Sequence, residues 1–419
     1  MPELVALTPN DIVAALSMLA DVIGEGLVGI SLGWAAKPAG IGFIVGLIFL
    51  LGFRSVAPVS FEVESLTIVS RIAKRQWHIM IYAVMLAGII GAILGSFSAY
   101  SGIVAFIGPA IQFGMMTGVG VILSIVAIDL IKENRVIGII SAGSAFIIFF
   151  ATSFDPASNL IYALAGSVVI SVIVSRFRKF EPILPDETRE KISMVLPWRK
   201  LGQFFRSYQT YEDVPTSDVA STGSSVSVGD RSVRKKVIKK LTRIDKILIV
   251  RAALALLALR TGTSIAYPSI DADLAQIETV TGSGASIFDA TNIMAGLSGF
   301  ASAFFGGAPL EPIITGTAAA PNPVVSAAIM MALSAVILLL GLIGKAAKYI
   351  PIQSVTGFLL VLGALIIFPS NAPLAMEADP IVGGVTAVVT GATMDPFIGL
   401  VAGLIVKGLL ALFAVPPVS

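Results

Sequence analysis

The chain has 419 residues, 56% of them hydrophobic and 13% charged, with a formal net charge of +2 and a mean hydropathy of +0.93. A soluble globular domain carries about a quarter charged residues, so this composition excludes a fold that presents water-compatible surface on every side. The absence of cysteine excludes disulfides and thiol chemistry, leaving carboxylates, the single His78 and water as partners for a proton or metal ion.

The opening residues, MPELVALTPNDIVAAL, lack the basic leader and cleavage site of a signal peptide, so the first apolar segment is expected to be retained. A bilayer core about 30 Å thick needs roughly 20 apolar residues per spanning helix. Residues 76–96, 110–131, 157–175 and 323–344 reach that length, within a series that counts to about 14 segments. The third and tenth are anomalous. Residues 53–64 read FRSVAPVSFEVE and residues 304–320 read FFGGAPLEPIITGTAAA. Proline removes a backbone donor and disfavours helix in the residue before it, so Ala57 and Ala308 are expected to be extended, with helix resuming beyond Pro58 and Pro309. Unwound backbone at membrane depth survives only inside protein or along a wet cavity. The two half-helices that follow would aim positive N-terminal ends into such a cavity. A pair of ordinary proline kinks is the plainer alternative.

Between the apolar halves, 16 of the 28 Lys and Arg residues fall from Arg176 to Lys246, around the polar run DVPTSDVASTGSSVSVGDRS at 213–232. This divides the chain into a first membrane repeat (1–177), a basic solvated loop disordered in its middle (178–240) and a second membrane repeat (241–419). The halves share local sequence in order: Ala14–Ala20 with Ala252–Ala258, Phe53 and Ala57-Pro58 with Phe304 and Ala308-Pro309, and Pro109 and Gly114 with Pro351 and Gly357. Seven segments per half is an odd number, so the second half runs through the membrane in the opposite sense, as an inverted repeat. Basic clusters follow odd-numbered segments, whereas the loops expected after segments 8 and 12 are acidic, with Asp271, Asp273, Glu278, Glu377 and Asp379. That bias puts the 178–240 loop in the cytoplasm and both termini outside. Arg234 to Lys240 could meet anionic head groups, or serve only as positive-inside anchoring.

Ionisable residues inside apolar segments cost roughly 2.5 to 3.5 kcal/mol each at a helix centre. They are Asp21, Glu25, Glu62, Glu64, Arg260, Asp289, Glu311 and Asp395. Asp21 and Glu25, four apart, share a helix face and are candidates for ion coupling, as is Asp289. Arg260 requires a carboxylate partner, with Glu62 and Glu311 the nearest candidates, or an anionic ligand. His78 reads as an interfacial residue. No metal-ligand cluster, nucleophile elbow or phosphate loop is present, which argues against an enzyme.

LSGFASAFFGGAP followed by GLIGKAAKYIPIQSVTGFLLVLGALI resembles the nucleobase permeases of the xanthine/uracil type. Pro109 to Gly114 and Ser60-Phe61 are similar to that family's segment 5 opening and segment 3 strand. The resemblance implies an all-α protein of 14 segments in two inverted seven-segment repeats, with core and gate domains, and substrate held between the segment 3 and 10 breaks. It implies proton or sodium symport, no cofactor, a plasma-membrane location, often a homodimer, and cytoplasmic termini. By motif it places Phe61, Ala308 and Thr315 beside the ligand. The family's segment 10 acid falls on Thr315 and its segment 8 acid on Leu259 or Arg260.

The expected function is therefore secondary transport of a nucleobase by alternating access. The expected site is Ala57, Pro58, Ser60, Phe61, Glu62, Arg260, Ala308, Pro309, Glu311 and Thr315. The alternative is a small-anion transporter on the same fold, with Arg260 between two positive half-helix ends.

Overall fold

A computed structural model of the chain describes residues 7–153, 159–177, 189–192, 207–214 and 233–413. The first half runs α1 (Pro9–Ser31), α2 (Ala39–Phe53), β1 (Val59–Ser60), α3 (Val63–Ile72), α4 (Trp77–Ser96), α5 (Ala99–Ile107), α6 (Pro109–Glu133), α7 (Arg135–Ala151) and α8 (Asn159–Ser175). An antiparallel ribbon of β2 (Ser207–Val214) and β3 (Val233–Lys240) follows. The second half runs α9 (Arg243–Leu274), α10 (Ile287–Phe304), β4 (Glu311–Pro312), a 3-10 turn (Gly316–Ala319), α11 (Pro323–Leu339) and α12 (Leu342–Ala347). A composite segment, 352–378, then carries α13 (Thr356–Leu360), a π-helical stretch (Val361–Ile367) and α14 (Phe368–Ala378), before α15 (Pro380–Thr393) and α16 (Pro396–Leu412).

Helices α1, α4, α6, α9 and the composite segment are each long and apolar enough to cross a membrane. Their starts follow from local chemistry. Proline occupies the first turn of α1, α6, α11, α15 and α16, where its missing N–H costs nothing. Thr8 and Asp11 form a reciprocal cap on α1, and Asp379 and Asp395 cap α15 and α16. Large apolar side chains such as Ile48, Ile147, Val388 and Ile405 point outward, which lipid accepts and water does not.

The helices pack as two bundles. One joins α1 to α4 with α9 to α11; the other joins α6 to α8 with α13 to α16. They meet mainly where α9 touches α16 and α6, and where α1 touches α8. The matched sequences occupy matched places: Ala14 and Ala252 lie in α1 and α9, Phe53 and Phe304 end α2 and α10, and Pro109 and Pro351 open α6 and the composite segment. The fold is that of a polytopic, inverted-repeat membrane protein.

Three expectations need correction. Residues 323–344 do not form one helix: Gly341, at φ +67°, turns the chain between α11 and α12. The 178–240 stretch contains strands: β2 and β3 pair antiparallel, with Glu212 opposite Lys235 and Asp213 opposite Arg234. Part of it also docks: Glu190 accepts from the backbone N–H groups of Ala36 and Lys37 at 2.9 and 2.8 Å, and Arg189 donates to the Gly33 carbonyl at 2.9 Å. Its expected disordered middle, 215–232, lies outside the described residues, as do the side chains of Arg234 to Lys239. Finally, the second half-helix does not form. Pro321 holds Ala320 extended (φ −72°, ψ 156°), so the turn after the tenth-segment break stops at Ala319.

The repeat-related α6 and π-helical stretch cross at Gly120 and Gly363. A Cβ on Gly120 would lie 2.8 Å from the Gly363 carbonyl oxygen, and one on Gly363 would lie 2.6 Å from that of Gly120. Gly120→Ala and Gly363→Ala are each expected to destabilise the chain by about 1–3 kcal/mol. Thermal melting in detergent measures this, with Gly52→Ala, which meets nothing within 4 Å, as the unchanged control.

Candidate functional site

Two extended segments meet at the centre of the first bundle. Past the ends of α2 and α10 the chain turns inward, and β1 pairs antiparallel with β4, Val59 opposite Pro312 and Ser60 opposite Glu311. Antiparallel pairing of corresponding segments is what two oppositely directed repeats produce. Residues facing each other across such a pair share one side of it, so Ser60 and Glu311 project together. The first break is braced by Ser55, whose hydroxyl accepts from the Ala57 N–H at 3.2 Å. In the second, the Ala308 N–H donates to the Ala35 carbonyl at 3.2 Å, and the Ser302 hydroxyl donates to the Ala308 carbonyl.

Glu311 is 1% exposed and Arg260, from the middle of α9, is also 1% exposed. They form a two-pronged pair, Nε to Oε2 and Nη2 to Oε1, both at 2.6 Å. This is the strong planar geometry of guanidinium and carboxylate. Arg260 Nη1 leans on the Ala87 carbonyl of α4 at 3.5 Å. Room for it comes from Gly91, where a Cβ would sit 2.3 Å from Nη1. Of the two partners the sequence allowed, Arg260 takes Glu311.

Glu62 stands at the start of α3, 3% exposed, and among the described residues neither of its carboxylate oxygens has a hydrogen-bond partner. Glu64, in the first turn of α3, is as buried. Glu25 of α1 interacts electrostatically with Asp21, Glu64 and Glu62 and lies against the Val63 N–H, so four carboxylates from two helices gather at the first break. Glu62 in turn feels Arg260 and Glu311. Phe61 is buried edge-on against Phe43, ring centroids 5.5 Å apart.

Every expected substrate-site residue is buried at or beside the paired breaks: Ala57, Pro58, Ser60, Phe61 and Glu62 on one side, Ala308, Pro309, Glu311 and Thr315 on the other. Asp21 and Glu25 join them. Asp289 does not. It is buried in the first turn of α10, beside Gly95, which is eight residues and about 12 Å along α4 from the Ala87 that Arg260 touches.

The structure adds Tyr267 and Asp271 of α9. Tyr267 lies within electrostatic reach of Glu25, Glu62 and Glu64. Asp271, expected in an acidic loop, is instead fully buried within α9 and accepts the Thr315 N–H at 2.9 Å, bracing the second break. Helix α9 runs through Pro268 to Leu274. The signal was the spacing: Arg260, Tyr267 and Asp271 stand seven and eleven residues apart, two and three turns, on one face.

No family model and no curated protein matches the sequence. Solved structures do match in fold. The transmembrane domain of a cyanobacterial bicarbonate transporter, BicA, superposes with a TM-score of 0.57 over 94% of this chain and 97% of that one, at 15% identity. The murine anion transporter Slc26a9, in its inward-facing state, gives 0.63 over 99% of this chain and 69% of that one, at 12% identity. A further SLC26A9 structure gives 0.52 over 95% and 66%, at 12% identity. This likeness shows the architecture, that of polytopic transporters built on inverted repeats.

Removing one member of a buried ion pair strands the other, so Arg260→Gln is expected to cost about 3–5 kcal/mol. Arg260→Gln combined with Glu311→Gln should regain most of it. Thermal melting of the two variants distinguishes the outcomes: a double variant that melts as low as the single one would show that the pair is not what holds β4 to α9.

Proposed function

We propose that the protein is a secondary transporter of small anions, coupled to protons or sodium, with its site at the paired breaks. The fold of the bicarbonate and other anion transporters supports the class. The unpartnered carboxylate of Glu62 supports the coupling. Asp21, Glu25, Glu62, Glu64 and Glu311 outweigh the one guanidinium of Arg260, and that guanidinium is already bound to Glu311. An anion therefore cannot be held here by a free arginine between two helix ends, as the sequence suggested. It must arrive with positive charge. Glu62 and Glu64, with Glu25 behind them, are where protons or a sodium ion would bind, converting a repelling surface into one that donates or bridges to the anion. Ser60, whose hydroxyl has no partner among the described residues, and the unwound backbone on either side supply further polar contacts.

A second reading keeps the nucleobase as cargo. It rests on the same carboxylate, since the two open oxygens of Glu62 can accept adjacent N–H groups of a base stacked near Phe61.

Proteoliposomes offered external labelled bicarbonate or sulfate, in parallel with labelled xanthine or uracil, separate the two. The expected result is anion uptake accelerated by an inward proton or sodium gradient. Glu62→Gln should cut gradient-driven uptake about 10- to 100-fold, the worth of one charge-assisted hydrogen bond. Uptake of the bases alone would transfer the site to the second reading, and anion uptake indifferent to both gradients would remove the coupling.

A further inference from the structure

A groove of about 540 Å³ opens where α9 meets α16, at the seam between the bundles. Its walls are apolar: Ile247, Val250 and Leu254 from α9, Phe397 and Ile398 from α16. Ile247 and Val250 remain 57% and 46% exposed. Three cations line the same groove, Arg243, Lys246 and Arg251. They follow one face of α9, so the first and last stand about 12 Å apart along its axis. Arg251 is fixed in place. Its Nε donates to Asp395 Oδ2 at 2.6 Å across the seam, while its side chain stays 41% exposed. Asp395 is wholly buried and also accepts the Phe397 N–H at 3.0 Å, so it cannot swing out to neutralise the groove. The carboxylate of the same first turn, Asp245, accepts the Thr242 N–H at 2.8 Å as part of the α9 cap.

An apolar slot with cations at one end and a held guanidinium partway along has the dimensions and charge of one kind of molecule. We propose that the α9/α16 groove binds an anionic phospholipid. The acyl chain lies along Ile247, Val250 and Leu254. The phosphate sits by Arg243 and Lys246, in the first turn of α9, where head groups and water meet the hydrocarbon. Arg251 reaches the glycerol ester carbonyls with the N–H groups that face away from Asp395. The long cationic stems cover apolar wall while their heads meet the lipid's polar part. Because the two walls belong to different bundles, the bound lipid touches both.

The full chain in detergent, titrated with phosphatidylglycerol or phosphatidylcholine and analysed by native mass spectrometry, tests this. Phosphatidylglycerol should be retained and phosphatidylcholine largely lost. Each cation near a membrane surface contributes about 1 kcal/mol to anionic lipid binding, so Arg243→Gln with Lys246→Gln should weaken retention about 10- to 30-fold. Lys132→Gln with Arg135→Gln, which removes two cations elsewhere, should leave it unchanged. Leu254→Trp, which fills the slot and spares the cations, should weaken it as well. Equal retention of both lipids, an equal loss in the control pair, full retention by Leu254→Trp, or displacement by inorganic phosphate at matching concentration would each overturn the lipid assignment.

Discussion

Backbone polar groups in hydrocarbon must be satisfied by protein, and two segments of this chain give up their helix where that demand is strictest. Each break is a run in which proline has removed donors and forbidden helix. The two runs pair with each other through β1 and β4, and from that pairing the rest of the centre follows. The pairing fixes Glu311 in the interior. A carboxylate there needs a cation with matched geometry, which α9 provides as Arg260. A guanidinium lying between α9 and α4 needs space, which Gly91 provides. The Thr315 backbone beyond the second break needs an acceptor, which Asp271 provides. Remove the pairing and each of these groups becomes a buried liability.

The same economy explains what the site offers a ligand. The buried arginine at the breaks, Arg260, is spent on structure. The positive end of α3 faces Glu62 and Glu64, carboxylates that the helix dipole favours in a first turn. What remains open is negative: Glu62 with no partner, Glu25 and Asp21 opposite it. A site of this kind discriminates through accompanying charge, which is why the proposed cargo travels with a cation.

Much of this was legible in the sequence, for definite reasons. Pro58 and Pro309 mark the breaks because proline acts locally, and the parallel placement of Phe53 and Phe304 located both helix ends. Arg260 announced a partner by the cost of leaving it alone. The partner's identity was not legible, because Glu62 and Glu311 lie near the same break and only the strand register chooses between them. The missing second half-helix was written in Pro321 and Pro323, but an apolar run of TGTAAA resembled helix more strongly than the prolines resembled a stop. Asp271 was misplaced because it opens a run of acids with Asp273 and Glu278 that looks like a loop, whereas α9 continues through Pro268 to Leu274. The β2–β3 ribbon hid behind a basic, polar composition that usually signals an unstructured loop.

The division into bundles gives these details a direction. Asp21, Glu25, Glu62, Glu64, Arg260, Tyr267, Asp271 and Glu311 all belong to the bundle of α1 to α4 and α9 to α11, so the site can move as a unit without breaking its own ion pair. Contacts to the other bundle are made mainly by α9 and α1, with a few from α3, and the Arg260–Glu311 bonds lie wholly within the first bundle. On the proposed reading, alternating access then needs only that one bundle slide past the other, with the β1–β4 pairing intact throughout. Among the described residues two ion pairs cross the seam, Arg71 to Asp129 between α3 and α6 at 3.4 Å, and Arg251 to Asp395 beside the groove proposed for lipid. The carboxylate of the second caps α16 while its guanidinium rises from α9, so sliding of the bundles must strain or re-form that bond. Any molecule seated against Arg251 acts on a charge pair that joins the two bundles, and does so without touching the site.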